Sequence, residues 1–223
     1  MTSVDGTIEP GVAIPDAFTG GWHRVSIALD GGPAHERSEV WWLQTPTRYA
    51  DVRVPLTEGT DPDSFAGSCT WDEPALTWSH DLDLRGWATS DTGRARWEGD
   101  LLIEEGDGYV EVWERIPGSV GPAVALGRDH PSAGAAVLVR TGDVCLTLED
   151  ARPLGGRYRA VARRRDGERW TVALELPPGA ADPDARMAGE SVLPEPPPLD
   201  GLAVGDVVEL ADGLRWTVEE LRP

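Results

Sequence analysis

Apolar and polar residues alternate with a period of two along most of this chain. The alternation is broken at short intervals by glycine, proline or aspartate–glycine pairs. "WHRVSIALDGG" (22–32) and "SEVWWLQT" (38–45) flank a Gly-Pro turn region and predict a hairpin. "RYADVRVP" (48–55) follows after a short turn and is the cleanest case. Ala50, Val52 and Val54 fall on one face, and Tyr49, Asp51 and Arg53 on the other. "LTWSHDLDL" (76–84) alternates next, and "RARWEGDLLIEEGDGYVEVWERIP" (94–117) predicts two strands about its "GDG" turn. In the second half, Gly142-Asp143, Asp166-Gly167 and Asp212-Gly213 each centre a predicted hairpin, within 135–150, 158–176 and 206–221. Successive hairpins of this kind form an antiparallel meander. Residues 176–201 form one long breaker-rich connector, with a helical turn expected near "DPDARMAG" and a polyproline-like end. The total is ten or more strands with no helices of the kind that cross a parallel sheet. The fold class is all-β, an antiparallel barrel or sandwich.

Composition refines this picture. The 223 residues suit one large β domain or two small lobes, and eight of the ten tryptophans precede residue 120, so the halves differ. All 20 basic residues are arginine, against 39 acids, for a net charge of −19. Such a field repels phosphate backbones and anionic membrane surfaces, so neither nucleic acid nor membrane is an expected partner. Cys69 and Cys145 are far apart, and two thiols in no ligand-like spacing predict free, packing cysteines. The N-terminus lacks the features of a signal peptide, and no apolar run approaches a membrane span of about 18–20 residues. The expected location is the cytoplasm. His23, His35, His80 and His130 show no metal spacing, and no phosphate loop, dinucleotide fingerprint or nucleophile elbow occurs. Neither a metal nor a cofactor is expected. The basic run "ARRRDGER" (162–169) reads as a solvated hairpin tip.

Candidate chemistry lies on strand faces that mix aromatic and ionisable groups. Besides Tyr49, Asp51 and Arg53, one face of 109–116 carries Tyr109, Glu111, Trp113 and Arg115. One face of 76–84 carries Leu76, Trp78, His80 and Leu82, and Gln44 shares a face with Trp42. Aromatics with a few convergent polar groups describe the lining of a small-molecule site. Gln44, Tyr49, Arg53, Trp78, Trp113 and Arg115 are the candidate ligand contacts, the arginines suited to a carboxylate or phenolate. His80, Asp51 and Glu111 are candidate acids or bases. The competing reading of the same pattern is a solvated face carrying cross-strand ion pairs.

The order "WWLQTPTRYADVRVP", "FAG" (65–67), "TWSHDLDL", "SDTG" (90–93) and "LIEEGDGYVEVWERI" resembles a lipocalin-like family. Its members include fungal kinase-interacting proteins of unassigned function and bacterial hypothetical proteins. The resemblance covers roughly residues 20–116, and its matching positions are Gln44, Tyr49, Asp51, Arg53, Phe65, Gly67, Trp78, His80, Glu111, Trp113 and Arg115. It implies barrel-like lobes of calycin type, an N-terminal one over residues 1–120 and an antiparallel β lobe over 121–223, and no established activity. Three functions follow. The first is a barrel holding a small hydrophobic or aromatic ligand in the N-terminal lobe. The second is a cofactor-independent isomerase, cyclase or hydratase using the same cavity. The third is an interaction module whose outer Val52, Val54, Val110 and Val112 bury against the second lobe or across a homodimer.

Overall fold

A computed structural model describes residues 13–86, 90–182, 184 and 190–223. Eight antiparallel strands close into a barrel in chain order: β1 (Gly20–Leu29), β2 (Ser38–Gln44), β3 (Arg48–Pro55), β4 (Asp63–Asp72), β5 (Ala75–Asp83), β6 (Ser90–Glu98), β7 (Leu101–Gly106) and β8 (Tyr109–Arg115). Seven more strands form a second antiparallel sheet: β9 (Ala123–His130), β10 (Gly134–Thr141), β11 (Val144–Asp150), β12 (Tyr158–Asp166), β13 (Arg169–Leu176), β14 (Val207–Glu209) and β15 (Arg215–Arg222). Their spatial order is β13-β12-β11-β10-β9-β15-β14. The chain is therefore all-β, as the two-residue alternation predicts, and its first eight strands close into a barrel. The second lobe is an open sheet rather than a second closed barrel. Helix among the described residues is confined to short turns such as Asp16–Phe18 and Arg152–Leu154. Among the described residues no helix is long and apolar enough to cross a membrane.

Three departures from the sequence reading have local causes. Residues 94–117 hold parts of three strands rather than two, because Gly99 (φ +62°) makes a second tight turn between β6 and β7. Strand β4 escapes the alternation rule because Gly67 interrupts it, and β9 because both its faces are buried, Ala125 in one core and Val124 and Leu126 in another. The helical turn expected near "DPDARMAG" lies largely outside the described residues.

The two faces of each strand go to different cores. Inside the barrel, Trp22, Val40, Trp42, Tyr49, Leu76, Trp78, Leu102 and Trp113 pack together. On its outside, Trp41, Leu43, Ala50, Val52 and Leu82 meet Val137, Val139, Leu146, Leu148 and Ala160 of the second sheet. Adjacent Trp41 and Trp42 thus serve opposite cores, as neighbours on a strand must. Each leucine fully withdrawn from water here contributes about 1.5–3 kcal/mol. Val52 is covered by the sheet, whereas Val110 on the far wall stays 38 % exposed. Cys69 and Cys145 are free and buried in separate clusters, and burial pushes the Cys145 thiol up to about 12.

The sheet's other face is covered by residues 190–202 and carries an ionic network. Glu149 accepts from Arg128 at 2.6 Å, from Arg159 and from Ser191 Oγ, and Arg128 also reaches Asp212 at 2.8 Å.

Gly67 sets the geometry of β4 and β5. The register slips between Ala66 and Gly67, which face Leu82 and His80 respectively, so β5 bulges at Asp81. A side chain at Gly67 would place its Cβ 1.8 Å from the Ser79 carbonyl oxygen. Gly67→Ala is expected to cost about 1–3 kcal/mol or more, since backbone must move. A thermal midpoint equal to that of the wild type would show that the bulge does not need glycine. The slip also overturns a predicted face. Trp78 points into the barrel, but Leu82 points out, into the core shared with the second sheet.

Candidate functional site

One end of the barrel is sealed. Trp22 Nε1 donates to the Phe18 carbonyl at 2.9 Å, and Phe18 packs on Trp71 and Trp97. The Arg115 guanidinium lies 3.8 Å over the Trp22 ring and donates to the carbonyls of Thr19 and Ala17, both at 2.6 Å. Arg115, read from the sequence as a ligand contact, thus helps close this end and is not among the residues that line the interior cavity with Asp51. Gln44 sits at the same end, opposite Gly20, with its amide consumed locally. It accepts from Trp42 Nε1 at 3.1 Å and donates to the carbonyls of Thr45 and Arg48.

Above this plug the interior holds a cavity of about 20 Å³, lined by Trp42, Tyr49, Asp51, Arg53, Phe65, Trp78, Asp91, Glu104 and Trp113. That volume admits a water or a small polar group; drug-sized ligands occupy roughly 300–1,000 Å³. Three tryptophans form its aromatic wall, Trp42 meeting Trp78 and Trp113 edge-on at 5.6 and 5.5 Å. Tyr49, Asp51 and Arg53 all face inward, so this face of β3 is not the solvated row of the competing reading. Arg53 stands outermost, its side chain 23 % exposed, 4.9 Å above Phe65.

The charges are arranged as linked pairs. Arg53 Nε donates to Asp51 at 2.9 Å and its guanidinium lies 3.8 Å from Glu111. Glu111 is held by Arg24, which also grips Glu36 through two bonds of 2.8 and 3.1 Å. Directly across from Glu111 on β7, Glu104 accepts from the Tyr109 hydroxyl at 2.7 Å. Desolvation raises the Asp51 carboxyl to about 6, against the pull of Arg53. Glu104 is raised further, to about 8, by burial and then by the neighbouring Glu111. Burial likewise pushes the Tyr49 and Tyr109 hydroxyls well above their usual range.

The other predicted residues take distinct places. Trp78 and Trp113 line the cavity, and the buried Trp113 Nε1 has no hydrogen-bond partner among the described residues. Glu111 is buried and tied to Arg24, and it is not among the residues that line the cavity. His80 stacks on Phe65 at 4.6 Å with its Nδ1 3.0 Å from Asp83, and is not part of the wall. Sequence reasoning missed Arg24, Glu36, Asp91 and Glu104. The one available signal for Glu104 is Gly93, where a Cβ would stand 2.8 Å from the Glu104 carboxylate.

A closed eight-stranded antiparallel barrel with a plugged end and a polar, aromatic interior is consistent with a calycin-like barrel. Among solved structures the chain is similar to an uncharacterized protein of Saccharomyces cerevisiae, with a TM-score of 0.67 and 14 % identity, over 92 % of this chain and 99 % of that one. At such identity the likeness shows the fold, here across both sheets. No family model matches the sequence, and no curated protein matches it.

Proposed function

We propose that this is a lipocalin-like protein of the cytoplasm that binds the polar end of a small, partly aromatic molecule in its N-terminal lobe, residues 1–120. The reading rests on one observation: Trp113, whose buried Nε1 has no hydrogen-bond partner among the described residues, lines a small cavity whose walls also carry Asp51, Arg53 and Glu104. An unmet buried donor costs about 1–3 kcal/mol, which an incoming acceptor would recover. The cavity asks for a compact group that accepts from Trp113 or Arg53 and donates to Asp51 or Glu104, such as a hydroxyl, enol or amide. The body of the ligand would rest near Phe65 and Arg53 at the mouth. Native mass spectrometry of the protein purified from its own host is expected to show a retained non-covalent mass, diminished in Asp51→Asn. A bare chain, with no thermal shift on adding hydroxyaromatic compounds, would sink the proposal.

A second reading draws on the same carboxyls. Asp51 near 6 and Glu104 near 8 bracket neutrality, so one could accept a proton while the other donates. An isomerase, cyclase or hydratase built this way would show a bell-shaped rate profile with limbs set by those two groups. Tyr49 and Arg53 would stabilise developing negative charge.

A further inference from the structure

A second concavity lies on the other lobe, far from the barrel interior in both sequence and lining. It is a cleft of about 450 Å³ between the end of β10, the β12–β13 hairpin and the proline strap, lined by Pro122, Arg140, Arg165, Trp170 and residues 195–200. Its volume falls in the range of sites for small organic molecules, roughly 300–1,000 Å³. We propose that this cleft binds a small planar monocarboxylate, its carboxylate on Arg140 and its ring against Trp170.

The reasoning begins with charge. Arginines buried on this face of the sheet are expected to be paired, because an isolated buried charge is costly. Arg128 and Arg159 obey, through Glu149 and Asp212. Arg140 does not. It is only 8 % exposed, yet among the described residues it bonds carbonyl oxygens alone, Gly142 at 2.9 Å and Pro197 at 3.5 Å, with no carboxylate within ion-pair distance. In register across β10, β11 and β12 the row reads Arg140, Cys145, Arg163, so an uncharged thiol separates the two guanidinium groups. Arg163 is equally buried and also bonds carbonyls, those of Leu193 and Pro194. Burial lowers the basicity of both arginines. Arg163 anchors the strap, while Arg140 borders the cleft and stacks over Trp170 at 5.3 Å.

The rim narrows the ligand class. Glu168, Glu195 and Asp200 line the cleft and are exposed, and the protein as a whole carries −19. Polyanions such as nucleotides and polyphosphates are repelled. One carboxylate on an apolar planar body satisfies Arg140, in the geometry a guanidinium favours, and leaves its ring on the indole and prolines.

The test uses the full chain with ¹⁵N-labelled tryptophan, titrated with indole-3-carboxylate and, separately, its uncharged amide. The Trp170 indole signal is expected to move saturably with the carboxylate while the barrel tryptophans stay still. The amide and Arg140→Gln are each expected to weaken binding by about tenfold or more. Should Arg140→Gln fail to fold, Trp170→Leu followed by calorimetry replaces it, with loss of the binding heat expected. No Trp170 shift at millimolar carboxylate, equal binding of the amide, or full binding by a folded variant overturns the proposal.

Discussion

Glu149→Ala is expected to lower the stability of this protein by about 3–5 kcal/mol, the cost of removing one partner from a buried ionic network. Glu149 is the hub on the strap-covered face of the second sheet, with its side chain and that of Arg128 wholly buried and that of Arg159 1 % exposed. Its removal leaves Arg128 with Asp212 alone and Arg159 with Glu190 at 3.7 Å, and takes away the acceptor of Ser191 Oγ at the start of the strap. For a chain of this size the thermal midpoint falls by about 2–4 °C for each kcal/mol, so the loss is large. Glu149→Gln keeps the shape and some hydrogen bonds and should lose less. Urea unfolding measures both. A loss below about 1 kcal/mol for the alanine variant would place the network among ion pairs that contribute little.

The second large effect is a dependence on pH. Asp51 and Glu104 have folded values raised to about 6 and about 8, from ordinary values of 3.8 and 4.5. The folded state therefore holds protons that the unfolded chain has already released. Their stabilising contribution is full below the unfolded values and is lost as pH rises through the folded ones. For Glu104 that window runs from about 4.5 to 8, at a slope near 1.4 kcal/mol per pH unit, for a total on the order of 3–5 kcal/mol. Unfolding free energy measured from pH 5 to pH 9 should fall, and Glu104→Gln should flatten the fall and exceed the wild type at pH 9. A variant whose profile parallels that of the wild type would show that Glu104 ionises freely in the fold.

Part of this architecture was legible before any coordinates. Turns near aspartate and glycine impose their pairing locally, so all three predicted hairpins of the second half form, the first at Gly142-Asp143, the second one residue on at Gly167-Glu168, and the third around a five-residue loop, 210–214, that contains Asp212-Gly213. The inward face of Tyr49, Asp51 and Arg53 was likewise readable, since aromatics beside charges on one strand suit an enclosed wall better than water. Glu104 was not readable. In "LIEEGDG" it looks like one of two solvated acids before a turn, and only pairing with Glu111 and the room above Gly93 turn it inward. Leu82 misled for a related reason: period two fails past a bulge, and the bulge depends on how closely the Ser79 carbonyl approaches Gly67. Arg115 and Gln44 share faces with cavity residues yet lie at the plugged end, because face is a local property whereas depth along a barrel depends on register across all eight strands.

By itself, then, the sequence determined an all-β chain, the positions of most hairpins, and which side chains share a strand face. These follow from backbone pleat and turn sterics, which act over a few residues. Tertiary structure alone decided that the first eight strands close while the last seven stay open, which arginines find carboxylates, and that the barrel's aromatic interior leaves about 20 Å³. Those outcomes depend on contacts between residues 87 and 84 positions apart, Arg24 with Glu111 and Arg128 with Asp212, whose burial forces a pairing that no local pattern encodes.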